Sequence, residues 1–174
     1  TVREFMAEED TWPISDVWYY HDWHNHRYGS KTFSELYKEG VDRKLGRSDN
    51  LDDFCKKAQL INYESHRAIF EAWNSKMWND ASGVLLWMSH PAWPSMVWQI
   101  YSWDYETFGS FYGCRKACEP IHIQKNLDDQ KVVVVNTSLK EIKGAKVIYE
   151  VYSLEGKSLF KRTSKLNVLA NGLT

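Results

Sequence analysis

The chain lacks any long apolar run. Nothing in its 174 residues approaches the eighteen or more consecutive apolar positions of a membrane-spanning helix, so no membrane partner is expected. It also lacks an excess charge of either sign: 22 Lys and Arg stand against 23 Asp and Glu, a formal net charge of −1. So balanced a chain exerts no general pull on nucleic acid or anionic lipid, and no nucleic-acid partner is expected. Cysteine is scarce, with only Cys55, Cys114 and Cys118. An odd count at wide spacing is not a disulfide framework, and small buried side chains are the expectation. No signal-peptide pattern is present. The first residue, Thr1, reads as a cut or processed end, which leaves the compartment unassigned. Tryptophan is missing from the whole C-terminal third: all nine tryptophans and all three cysteines precede Glu119. That step predicts a boundary near Glu119-Pro120, with one domain over 1–118 and another over 119–174.

The N-terminal part predicts helices and one buried strand. Val2 to Glu8 reads as one or two helical turns. The aromatic stretch WYYHDWHNHRY (18–28) has neither period 2 nor period 3.6 and reads as loop with short helical pieces. Thr32 to Glu39 predicts a short helix ended by Gly40. Leu51 to Lys76 predicts a long one, because Leu51, Phe54, Ala58, Ile61, Ala68, Ile69 and Ala72 recur at three- and four-residue spacing. Ser48, Asp49 and Asn50 offer caps for it, and Asp52 and Asp53 suit its positive first turn. Val84 to Met88 is a continuous apolar run, the pattern of a strand buried on both faces of a parallel sheet. A further helix is expected over Ser110 to Cys118. Long helix, turn and buried strand make an α/β unit.

After Pro120 the period becomes 2. His122-Ile123-Gln124, Lys131–Val135, Ala145–Ser153 and Ser158–Arg162 predict antiparallel strands, the last two joined by a turn at 154–157. A (β/α)8 barrel takes about 250 residues and an immunoglobulin-like sandwich about 100 with seven strands. Each part is short of its architecture, so the chain reads as the end of one domain and the start of the next.

Three histidines, His21, His24 and His26, stand close together. Their spacings are not those of a helical i, i+4 pair, no cysteine or His-Glu-x-x-His pattern accompanies them, and no metal is expected. Asn136-Thr137-Ser138 matches a glycosylation sequon, a short pattern common by chance.

The run SGVLLWMSHPAWPSMVWQIYSWDYETFGSFYGCRKACEPIHIQ carries the most specific signal. Its Gly83, Trp87-Met88, Ala92-Trp93-Pro94-Ser95, Trp98-Gln99, Lys116-Ala117, Glu119-Pro120 and His122 resemble, in order, the last barrel strand and helix of glycoside hydrolase family two. The likeness is to the branch of exo-β-glucosaminidases and β-mannosidases, and KAQLINYESHRAIFEAW (57–73) fits the same branch. The resemblance implies the C-terminal portion of a (β/α)8 barrel followed by a partial immunoglobulin-like antiparallel sandwich. In it, 83–88 is the eighth strand and 110–118 the closing helix.

The implied function is a fragment of a retaining exo-β-glycosidase that cleaves terminal β-linked mannose, glucosamine or galactose. Its partners are then a carbohydrate substrate and the rest of a parent chain, and no cofactor is needed. The loops at strand C-termini build barrel active sites, so WMSHPAWPSMVW (87–98) is expected to line the pocket. Sugar C–H faces lie well on indole, and Pro91 and Pro94 reduce the loop's ordering cost. Trp87 and Trp93 are the expected walls, His90 a hydrogen-bonding group, and His21, Asp22 and Trp23 contacts to an outer sugar. Trp98 and Trp103 are assigned to packing. The competing reading is that all these rings only pack.

Retaining hydrolysis needs two carboxyl groups about 5 Å apart. Asp22, Asp104, Glu106 and Glu119 sit in none of the family's catalytic motifs, so no catalytic residue is assigned. Asp104 is expected to orient loop backbone. A non-catalytic carbohydrate-binding module is the main alternative, disfavoured because the tail after Glu119 has no tryptophan. A histidine-metal protein is the third reading.

Overall fold

The computed structural model describes residues 1–22, 27–96 and 99–174, and the side chains of all of these except 27 and 28. Trp23, His24, His26 and Trp98 lie outside the described residues. The chain forms two compact units. The first comprises 1–70 and 85–117, the second 71–84 and 118–174. Helices and antiparallel sheets mix, and no described helix is long and apolar enough to cross a membrane.

The first unit opens with α1 (Val2–Phe5) and α2 (Glu8–Thr11), then a 3-10 turn over Asp16–Tyr20. A two-residue ladder, β1 (Arg27–Tyr28) with β2 (Lys31–Thr32), precedes α3 (Phe33–Leu45). Thr32 starts α3 with a reciprocal capping box: its hydroxyl accepts from Glu35 N, and Glu35 Oε2 accepts from Thr32 N at 2.7 Å. Such a cap contributes about 1 kcal/mol. Helix α3 runs through Gly40, the residue expected to end it. Gly46, with φ 84, stops it instead. A glycine inside an exposed helix costs only about 1 kcal/mol, which the capping box and the buried Val41 offset.

Helix α4 (Leu51–Asn74) matches the apolar stripe seen in the sequence. Asn50 Oδ1 accepts from Asp53 N at 2.9 Å at its start. The stripe buries Leu51 and Phe54 with Met6, Trp18 and Val41 in the unit's core. Helix α5 (Gly109–Ala117) lies against α4 at two glycines. A Cβ at Gly109 would stand 2.2 Å from the Gln59 carbonyl oxygen, and one at Gly113 2.3 Å from that of Tyr63. Only glycine permits that backbone approach.

The apolar run 84–88 departs from expectation. It joins no ladder among the described residues, and Leu85 is 98% exposed. A central parallel strand is buried only by neighbours on both sides and both faces, and no described segment supplies them. The cysteines also differ from expectation. Cys55 and Cys114 are half-buried and Cys118 is exposed, and none of the three forms a disulfide.

In the second unit, β3 (Ile121–Lys125), β4 (Val132–Asn136) and β7 (Gly172–Leu173) form one antiparallel sheet. The hairpin of β5 (Ile142–Tyr152) and β6 (Ser158–Val168) forms another, with its turn at the left-handed Gly156. Val134, Val147 and Val168 pack together between them. The sequon asparagine Asn136 is fully buried, and its side-chain amide donates to the Lys140 and Leu169 carbonyls. That fold leaves it no room for a glycan.

Candidate functional site

The loop after the 84–88 run is held by two clasps. Ile100 N and Tyr101 N both donate to the Ser89 carbonyl, at 3.2 and 3.1 Å. Met96 N donates to the His21 carbonyl at 2.7 Å, and the His21 ring returns a bond from Nδ1 to the Pro94 carbonyl at 2.8 Å. A carbonyl only accepts, so this bond places the proton on Nδ1. The His21 ring lies 4.6 Å from Phe5 and 6.0 Å from Trp93, centroid to centroid. His21 and Trp93, distant in sequence, are therefore neighbours on one face of the first unit.

Trp87 is 81% exposed and Trp93 41%. Both indoles therefore keep solvent-facing area, Trp87 most of its surface and Trp93 less than half. Met88, next to Trp87, has φ 58, a left-handed conformation that costs a non-glycine residue roughly 1 kcal/mol. His90 stacks on Tyr105 with centroids 4.5 Å apart and planes at 15°. Its Nε2 is buried without a hydrogen-bond partner. Tyr105 was not singled out in the sequence, because a stack across a loop leaves no local pattern.

Asp22 lies deeper than an outer sugar contact requires. It is 2% exposed, and its Oδ2 accepts from Ser34 N at 3.0 Å and Ser34 Oγ at 2.8 Å. It thereby ties the residue before the undescribed 23–26 stretch to the first turn of α3, whose free N–H groups attract an anion. Asp22 and Ser34 also line a cavity of about 750 Å³ with Phe5, Trp18, Phe54 and Met96. Trp103, assigned to packing from the sequence, is partly exposed, at 36%.

Of the remaining carboxylates, Asp104 has both Ser102 and the Glu4 side chain as hydrogen-bonding neighbours. The Ser102 hydroxyl donates to Asp104 Oδ1 and holds that carboxyl below its usual range. Ser102 N meanwhile donates to the Glu106 carbonyl at 2.9 Å, so Asp104 braces a turn. Glu119 Oε2 lies 3.7 Å from His122 Nδ1 in the second unit.

No family model matches the chain. It is 36% identical over 140 residues to a mannosylglycoprotein endo-β-mannosidase of Lilium longiflorum, covering 80% of this chain and 14% of that protein. It is 35% identical over 144 residues to an exo-β-D-glucosaminidase of Amycolatopsis orientalis, covering 79% of this chain and 14% of that one. Among solved structures, a β-D-mannosidase from Dictyoglomus thermophilum shares its fold with a TM-score of 0.81 at 21% identity, over 99% of this chain and 21% of that chain. The chain thus spans a small part of the length of the relatives it matches. Those relatives and that fold identify it as a glycoside hydrolase family two-like polypeptide.

Proposed function

We propose that the chain is one flank of the sugar pocket in a retaining exo-β-glycosidase. Residues 1–118 are the C-terminal segment of its (β/α)8 barrel, and 119–174 begin an immunoglobulin-like sandwich. The substrate class is a terminal β-linked mannoside, glucosaminide or galactoside. The exo-acting choice follows the glucosaminidase relative; the lily relative is named for endo action.

The observation that carries this reading is the pair of accessible indoles, Trp87 and Trp93, on a loop whose backbone is fastened at Ser89, Pro94 and Met96. A loop held in this way loses little freedom when a sugar ring settles on it. Trp87 supplies the main wall and Trp93 the second. His90 offers the ring edge left by its sealed Nε2. His21 orients Trp93, and Asp22 stiffens the base below them. Trp23 belongs to the same stretch of chain. The two reacting carboxyl groups come from polypeptide beyond this chain.

A longer polypeptide that contains this chain, assayed on p-nitrophenyl β-D-glucosaminide, β-D-mannoside and β-D-galactoside, tests the reading. Turnover of at least one, with release of single sugars from the end of an oligosaccharide, supports it. Absence of turnover on all three contradicts it, and release of internal fragments contradicts the exo assignment.

A further inference from the structure

We propose that Tyr105 is a positioning residue of this pocket, a clamp that fixes the His90 ring where a sugar hydroxyl meets it. The inference rests on the saccharide reading above and adds a residue to it.

Four observations converge on Tyr105. It sits at the tip of a closed hairpin: Phe108 N donates to the Ile100 carbonyl at 3.1 Å, Ser102 N to the Glu106 carbonyl at 2.9 Å, and Tyr105 N to the Ser102 carbonyl at 3.1 Å. The base of that hairpin is the clasp on Ser89, immediately before His90. Tyr105 has φ 68, a conformation that a bulky side chain holds only where its surroundings require it. The residue is 75% exposed, so hydrophobic burial does not explain the strain.

What the geometry provides is the near-parallel stack on His90. Nε2 of that imidazole is sealed, so Nδ1 is the edge the ring has to offer. A lone exposed histidine would rotate among rotamers. The tyrosine face holds this one in a single plane, and less side-chain entropy is then lost when a hydroxyl binds.

The test uses the longer polypeptide that contains this chain, with labelled histidine and tryptophan side chains, followed by NMR. Methyl β-D-glucosaminide and methyl β-D-mannoside are the probes. Tyr105→Asn removes the ring with a residue that tolerates the left-handed backbone; Tyr105→Phe keeps the stack. The wild type and Tyr105→Phe are expected to show sugar-dependent shifts at both the Trp87 and the His90 rings. Tyr105→Asn is expected to lose the upfield ring-current shift of His90 before sugar is added and to bind about three- to tenfold more weakly, the range for one aromatic pair. Sugar-dependent shifts at Trp87 with His90 silent, or equal affinity in Tyr105→Asn, overturn the inference and leave the sugar pocket standing. Shifts at neither ring overturn both.

Discussion

His122 Nε2 lies 2.8 Å from Glu71 Oε1, joining β3 to the last turn of α4. The His122 side chain is fully buried and that of Glu71 13% exposed. Gln124, two positions along the strand on the same buried face, donates to the Glu71 carbonyl at 2.7 Å and to Asn126 Oδ1 at 2.8 Å. Glu71→Ala leaves a sealed imidazole nitrogen without its partner, which costs about 2–4 kcal/mol. Urea unfolding of the second unit, followed through Trp73 and Trp78 fluorescence, is expected to show that loss, with most of it restored in Glu71→Gln. Unchanged midpoints would show that the contact contributes nothing.

The seam between α4 and α5 gives a second expectation. Gly113→Ala puts a methyl group on the Tyr63 carbonyl, where the gap is 2.3 Å and the obstacle is backbone. The helices must separate, at a cost of about 1–3 kcal/mol or more. The expected result is a lower melting temperature, whereas Gly40→Ala, in open space, raises helix stability by up to about 1 kcal/mol. Equal melting temperatures for the two variants would refute the close approach.

Acid should loosen the first unit. The Arg3 guanidinium holds Asp52 below its usual range, and the Lys57 ammonium does the same for Asp53. At Asp42 burial pushes upward, but hydrogen bonds from Lys38 and Ser48 outweigh it and the carboxyl ends lower than usual. A carboxyl with a depressed folded-state pKa contributes stability that is present above its unfolded pKa. That contribution disappears as pH falls through the folded value. Stability is therefore expected to hold from about pH 7 to 5 and to drop steadily below about pH 4. Asp42→Asn should flatten that drop. A pH-independent melting temperature over this span would count against these pairings.

Much of this architecture was readable in the residues, for identifiable reasons. Helix α4 was legible because a 3.6-residue stripe is written locally, and the β5–β6 hairpin because period 2 flanks a glycine turn. The length of α3 was not, since Gly40 signals a stop that a strong cap at Thr32 overrides. The exposure of Leu85 was not, because an apolar run states a preference for burial without naming the neighbours that supply it. At the site, Trp87 and Trp93 were nominated by their places at the end of that run and in the loop that follows it. The His21–Pro94 bond, the Asp22–Ser34 brace and the Tyr105 stack join residues far apart in sequence, and such pairings leave no local period.

The 174-residue chain alone is expected not to hydrolyse aryl β-glycosides. Its Asp104 braces the Ser102–Glu106 turn, and its hydrogen bonds to Ser102 and to the Glu4 side chain hold it below the usual carboxylate range. Release of p-nitrophenol above the buffer rate that disappears in Asp104→Asn would show a reacting carboxyl within this chain.

The most direct measurement is steady-state hydrolysis by the longer polypeptide before and after Trp87→Ala, on whichever aryl β-glycoside it cleaves best. Loss of one indole wall is predicted to lower kcat/KM by about tenfold or more, with the melting temperature unchanged, because the ring is mostly solvent-exposed in this chain. An unchanged kcat/KM in a folded Trp87→Ala variant would contradict the assignment of this loop to the sugar pocket.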